Sequence, residues 1–212
     1  RDRTEVGSAP IAQKPRFPSL STSETVTKVA PWRRISLFTA STSSVLESAM
    51  TVTPSDLIDI VIDTAGEGAS PGLKGVVGVP EGAGPWPAVV VVHEIFGVDE
   101  EMRKQVAHLA SMGYLALMPD LYTAGGTRRC LVGTMRAMRS GKGRAYLDIE
   151  AARQWLLNRD DGTGAVGILG FCLGGGFALM TAASGFDAAA VNYGMLPVDL
   201  EVTLENACPV VG

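Results

Sequence analysis

Val166-Gly167-Ile168-Leu169-Gly170-Phe171-Cys172-Leu173-Gly174-Gly175 is the stretch on which the fold turns. A short apolar run of strand character leads into Gly170. A cysteine then stands between two glycines in the spacing Gly-x-Cys-x-Gly, and an apolar segment of helical length, Leu173 to Ala183, follows. Strand, sharp turn and helix are the context of a nucleophile elbow, here with Cys in place of the commoner Ser. Such a turn forces the nucleophile into a strained backbone conformation, and the flanking glycines let strand and helix approach without a clash. The reading puts Cys172 at the carboxyl end of the strand, beside a helix N-terminus that favours negative charge. It also places the Leu173 N–H where it could hold an oxyanion. A buried cysteine is more often an inert core residue. Motif and context together favour the nucleophile reading for Cys172, whereas nothing comparable surrounds Cys130 or Cys208.

Two other readings of the same region fail on its details. No charged residue occurs from Gly162 to Phe186, and Gly170 with Gly174 forms G-x-x-x-G, so a membrane helix must be considered. Glycines are scattered from Gly164 to Gly185, and Asp160-Asp161 rather than a basic residue flanks the run, which excludes that reading. Gly162-Thr163-Gly164-Ala165-Val166-Gly167 matches a dinucleotide fingerprint. Its glycines precede the strand, however, whereas phosphate binding requires them after it, opening a helix.

Working outward, strands alternate with helices. Leu57 to Ile62, Leu73 to Val79, Leu115 to Met118 and Ala189 to Asn192 are strand-like, and Ala88 to Val92 is uniformly apolar, as in a strand buried on both faces. Glu100 to Met112 and Ala145 to Asn158 carry apolar residues at helical spacing. This alternation means βαβ units and a mostly parallel sheet covered on both sides, a three-layer α/β sandwich. After the Val-rich strand comes His93-Glu94-Ile95-Phe96-Gly97. In a hydrolase of this architecture that loop supplies the second oxyanion N–H. Glu94, beside a cysteine at the strand ends, could accept or hold the thiol proton. His93 suits orientation of that loop better than general-base work. His108 reads as a helix-flank surface residue, and Asp120 as a cap for the loop after its strand.

Composition narrows the function classes. The 212 residues carry a net charge of −4, which gives no basic footprint for nucleic acid. Three cysteines without a pairing pattern fit a reducing, cytoplasmic setting, and two histidines without metal-ligand spacing call for no metal or cofactor. Residues 1–49, with nine Ser, six Thr and a net charge of +3, differ from the rest, which sums to −7. They read as a disordered leader or a non-native extension; Arg33-Arg34 lacks the apolar region a twin-arginine signal needs. Residues 50–212 read as one incomplete, C-terminally truncated α/β domain, because Cys208-Pro209-Val210-Val211-Gly212 looks like a strand just beginning.

His93-Glu94-Ile95-Phe96-Gly97, Gly113-Tyr114 with Pro119-Asp120-Leu121-Tyr122, Asp148-Ile149-Glu150-Ala151-Ala152 and Gly170-Phe171-Cys172-Leu173-Gly174-Gly175 together resemble the dienelactone hydrolase family (carboxymethylenebutenolidases), over about residues 55–212. The resemblance implies an α/β-hydrolase fold and hydrolysis of a small-molecule lactone or ester. It implies Cys172 as nucleophile, Glu94 as the carboxylate that pairs with the resting thiol, and Ile95 and Leu173 as oxyanion donors. The family's Asp and His follow the elbow; here no His follows residue 108, and Asp187 and Asp199 precede the strand that should carry the acid. The chain itself is therefore expected to be nearly inactive. The resemblance also expects substrate-binding arginines in the region of Arg128, Arg129, Arg136 and Arg139, where residues 122–145 have no clear placement. A noncatalytic binding protein of this fold and a redox-active thiol protein are the rival readings. No nucleic-acid or membrane partner is expected, and the sequence leaves the oligomeric state open.

Overall fold

The structure, a computed structural model, describes residues 52–63 and 66–212; the expectation for residues 1–49 lies outside them. Seven strands form one sheet in the order β1-β2-β4-β3-β5-β6-β7. They are β1 (Ile58–Ile62), β2 (Leu73–Gly78), β3 (Trp86–Val92), β4 (Leu115–Pro119), β5 (Gly162–Phe171), β6 (Ala189–Asn192) and β7 (Val210–Val211). The helices are α1 (Glu100–Ser111), α2 (Gly126–Ser140), α3 (Arg144–Leu157), α4 (Leu173–Thr181) and the short α5 (Leu200–Leu204). β1 and β2 pair antiparallel, β2 meets β4 antiparallel, and every pairing from β4 to β7 is parallel.

The Val-rich run of β3 explains the layering. Side chains alternate across a strand, so Val90 and Val92 enter a core with Leu117, Ile149, Ile168 and Phe177, while Val89 and Val91 enter a second core with Met102, Val106 and Met118. The first core lies under α3 and α4, the second under α1. Asp99 starts α1 by accepting from the Met102 N–H at 2.9 Å, and the turn after it closes at Gly113 with φ 89°. On the α1 side an open apolar groove of about 520 Å³ runs past Val89, Leu109, Met112, Leu169 and Val210.

Three elements differ from the sequence expectation. The strand expected over 166–169 begins at Gly162, so the Gly162–Gly167 glycines lie inside β5, paired with β3, and open no phosphate loop. The segment 122–145 contains α2, whose buried Thr134, Ala137 and Met138 recur at helical spacing and whose end is marked by Gly141 with φ 65°. The five residues of α5 bury nothing. Among the described residues no helix is long and apolar enough to cross a membrane.

Candidate active site

Strand order decides where a site can form. From β3 the chain turns through α1 to β4 on one side; from β5 it turns through α4 to β6 on the other. The loops leaving β3 and β5 therefore diverge at a topological switch point, the place where open α/β sheets bind their ligands. Register aligns those ends: Val92 lies beside Gly170, and Phe171 beside Asn192. Three adjacent parallel strands thus release His93-Glu94-Ile95, Cys172-Leu173 and Tyr193-Gly194 at one level.

Close backbone contact fixes the elbow. A Cβ on Gly170 would lie 2.0 Å from the Gly174 carbonyl oxygen, and one on Gly174 would lie 2.1 Å from that of Val92. Both distances are below any real contact, so α4 can start against the ends of β3 and β5 only because these positions lack side chains. Cys172 adopts φ 52° and ψ −114°, and it and Tyr193 (φ 40°) are the described non-glycine residues with positive φ. Strain of this kind costs about 1–3 kcal/mol and persists only where the surroundings enforce it. Here the Cys172 N–H donates to the Asn192 carbonyl at 3.0 Å, and the Asn192 side chain donates to the Gly170 carbonyl at 3.3 Å. Cys172 is half-buried, and Leu173, buried, is the first residue of α4. An N–H at that position has no acceptor within its own helix.

The loop after β3 is braced from below. His93 is fully buried, with Nδ1 2.7 Å from the Glu94 carbonyl and Nε2 3.1 Å from the Leu121 amide nitrogen. An amide N–H can only donate, so Nε2 is the acceptor and Nδ1 carries the hydrogen. Burial pushes the His93 pKa below its ordinary value, which keeps the ring neutral. With both nitrogens bonded to backbone, His93 is a brace rather than a base. The Gly97 N–H also donates to the Glu94 carbonyl, at 3.1 Å, and Tyr122 Oη donates to the Ile95 carbonyl at 2.8 Å. Burial pushes the Tyr122 phenol up to about 12, so it remains a donor.

The Glu94 carboxylate accepts a hydrogen bond from the exposed Tyr193 hydroxyl. That carboxylate pushes the Tyr193 phenol up to about 12. The structure therefore joins Glu94 to Tyr193. Tyr193 escapes notice in the sequence, where its one signal is position: an aromatic residue followed by glycine, just past a short strand. His108 stands in the last turn of α1. That helix runs back from the carboxyl end of β3, and its Leu109 and the Met112 that follows its last turn line one groove with Pro87 and Ala88 at the other end of the strand. His108 is thus remote from Cys172. Asp120 accepts from the Tyr122 N–H at 2.9 Å and caps its loop. Arg128, Arg129, Arg136 and Arg139 all belong to α2 and are exposed. Among the described residues no group of acidic, His and Cys side chains could hold a metal ion.

The sheet order and the elbow between β5 and α4 define an α/β-hydrolase fold. Comparison with known proteins narrows the class: the dienelactone hydrolase family pattern matches residues 73–212, and the chain belongs to that family. Carboxymethylenebutenolidase of Pseudomonas putida is 38% identical over 131 residues, 56% of this chain and 53% of the relative. That of Pseudomonas sp. strain P51 is 35% identical over 135 residues, 58% of this chain and 55% of the relative. The chain thus spans about half the length of these curated relatives. The crystal structure of dienelactone hydrolase from Anabaena variabilis superposes with a TM-score of 0.58 at 24% identity, covering 73% of this chain and 70% of that one.

Proposed function

We propose that the protein is a carboxylic ester or lactone hydrolase that works through Cys172. The observation that carries the reading is the Cys172 backbone, held at positive φ where three strand ends meet and where glycine contacts leave no other path for the chain. In this reading the Cys172 sulfur attacks the substrate carbonyl carbon. The Ile95 and Leu173 amides hold the developing oxyanion, the acyl C–O bond breaks as the alkoxide takes up the proton that the thiol gave to Glu94, and water later cleaves the thioester to the acid and the free thiol. Glu94 takes or holds the thiol proton in the resting state, which requires it to exchange its Tyr193 partner. The His93 brace and the Tyr122 hydrogen bond keep the Ile95 amide in place. Membership of a hydrolase family and the position of Cys172 at the switch point support this assignment, with a small-molecule ester or lactone as substrate.

Deacylation needs a base. Of the two histidines, His93 has both nitrogens committed and His108 lies at the far end of the sheet. In our reading neither histidine activates the deacylating water, so this chain acylates at Cys172 and turns over poorly. Losing one oxyanion donor costs about 100–1,000-fold in such sites, and loss of the base should cost at least as much. Rapid-mixing hydrolysis of an activated ester by this chain tests the point: a burst of about one equivalent of alcohol per chain, abolished by Cys172→Ala, should precede a slow steady state. A steady state as fast as the burst would refute the absence of a base, and a burst indifferent to Cys172→Ala would refute the nucleophile.

A further inference from the structure

The peptide bond between Glu94 and Ile95 is held at one end only. Its carbonyl, that of Glu94, lies 2.7 Å from His93 Nδ1 and also accepts the Gly97 N–H at 3.1 Å. The second of these bonds closes a turn over residues 94–97, which Gly97 leaves at φ 87°. The bond is trans, and a trans peptide is planar with its C=O and N–H pointing in opposite directions. Two donors on the Glu94 carbonyl therefore aim the Ile95 N–H away from His93. Among the described residues that N–H has no protein acceptor. Backbone donors inside a fold are nearly always paired, so this one is open to a group that the chain does not itself supply.

Behind the Glu94 carbonyl the hydrogen bonds continue in one direction. The Leu121 amide, just past β4, donates to His93 Nε2 at 3.1 Å. That leaves Nδ1 to carry the ring hydrogen and to donate it to the Glu94 carbonyl. The same peptide then presents the Ile95 N–H on its far side. Hydrogen bonds in such a chain polarise one another, by about 10–30% per bond, and they are stronger where water is excluded. His93 is fully buried, and its ring lies against Tyr122 with 4.9 Å between centroids. Donation into a peptide carbonyl draws electron density from the peptide nitrogen, which makes its N–H the better donor. The Tyr122 hydroxyl acts on a different peptide, because the Ile95 carbonyl it bonds shares a plane with the Phe96 N–H. Among the described residues, His93 is thus the one side chain bonded to the peptide that bears the Ile95 N–H.

We infer that His93 is a positioning residue for ester cleavage whose Nδ1–H aims and polarises the Glu94–Ile95 peptide, strengthening the Ile95 N–H as a donor to the oxyanion formed when Cys172 attacks. The inference rests on the ester-cleaving reading and on Ile95 as an oxyanion donor. It gives a buried imidazole an effect at the reacting carbonyl without proton transfer. The ring keeps its hydrogen throughout, and no bond to the ring forms or breaks. A side chain that merely filled the space at 93 would support the loop but would leave the Ile95 N–H an ordinary amide donor.

The experiment compares two reactions of Cys172 in the same full chain. Acetylation by an activated acetate ester passes through an oxyanion. Alkylation by iodoacetamide, in which the sulfur displaces iodide directly, does not. Both rates are followed by peptide mass spectrometry in the unaltered chain, in His93→Gln and in His93→Leu. Gln keeps a donor and an acceptor and should retain most of the acetylation rate. Leu removes the donor, and acetylation should fall about tenfold, a fraction of the roughly 100–1,000-fold that follows loss of a whole oxyanion donor. Alkylation should hold steady in both variants, whereas a merely structural disturbance would change the two reactions alike. His93→Leu leaves the Leu121 N–H without its acceptor, so a second measurement uses the unaltered protein alone. The His93 Nδ1–H proton resonance, assigned by its loss in His93→Gln, should move downfield when Cys172 is acetylated and return when hydroxylamine removes the acetyl group. Acetylation and alkylation changing in equal proportion in His93→Leu, a His93→Gln variant no faster than His93→Leu, or a stationary Nδ1–H resonance would each overturn the inference and leave the ester-cleaving reading standing. Acetylation that misses Cys172 in the unaltered chain would overturn that reading and the inference with it.

Discussion

The elbow at Gly170–Gly175 and the helix α2 at Gly126–Ser140 are held in place by opposite means. At the elbow, backbone meets backbone: carbonyl oxygens of Val92 and Gly174 occupy the space where side chains would start. Sterics decide there, and almost no substitution is compatible. On α2 the opposite holds. One face packs Thr134, Ala137 and Met138 against the protein, and the other carries arginines into solvent. Near Gly133 no atom lies within 4 Å of where a Cβ would be. The first region is rigid because the chain has no alternative path; the second tolerates change because only a stripe of apolar contacts secures it. A reaction centre needs the first kind of region, and adaptable recognition of a ligand can use the second.

That contrast can be broken by a matched pair of substitutions. Gly174→Ala places a methyl group 2.1 Å from a backbone oxygen, so either the elbow or β3 must move. We expect a loss of more than about 4 kcal/mol, or failure to fold, measured by urea denaturation. The same change at Gly133 meets open space in a helix interior and should stabilise by about 0.5–1 kcal/mol. A tolerated Gly174→Ala would mean that the strand-helix contact is not the constraint it is taken to be.

The His93 brace gives an intermediate effect. His93→Ala removes a buried ring and leaves the Leu121 N–H without its acceptor, for an expected loss of about 2–4 kcal/mol. Gln at 93 keeps a donor and an acceptor and should recover part of that loss. The same residue sets a pH dependence. Burial keeps folded His93 neutral below its ordinary pKa of 6.5, whereas the unfolded chain takes up a proton there. The unfolded state then binds more protons, so this contribution is complete above about pH 6.5 and is lost as pH falls below it, by at most about 1.4 kcal/mol per unit. Denaturation of the His93→Gln variant between pH 7 and about 5 should lack that component of the slope. An unchanged slope would remove His93 from the account. The smallest stability effect belongs to the rim: Tyr193→Phe at an exposed position should change stability by less than about 0.5 kcal/mol.

The same contrast explains what the sequence reveals. Gly170-Phe171-Cys172-Leu173-Gly174 and the valines of β3 are legible because local sterics and strand alternation act within a few residues of chain. The alternation of elements follows from the same local signals, whereas the strand order with its switch between β3 and β5 rests on pairing between distant segments and is not read from the chain. The helix α2 is less legible, with glycines and arginines on its exposed side and only a short buried stripe. Its place depends on contacts with distant elements. The pairing of Glu94 with Tyr193 spans ninety-nine residues, and the His93–Leu121 bond twenty-eight; neither spacing leaves a pattern in the chain. Asp120 serves as the cap that its place after a strand suggests.

The most direct test of the central claim is peptide mapping of the protein after brief exposure to an activated acetate ester at mildly alkaline pH. The account predicts a single acetyl group per chain, on Cys172, with Cys130 and Cys208 unmodified and no acetylation in Cys172→Ala. Acetyl spread across all three cysteines, or its absence from Cys172, would contradict it.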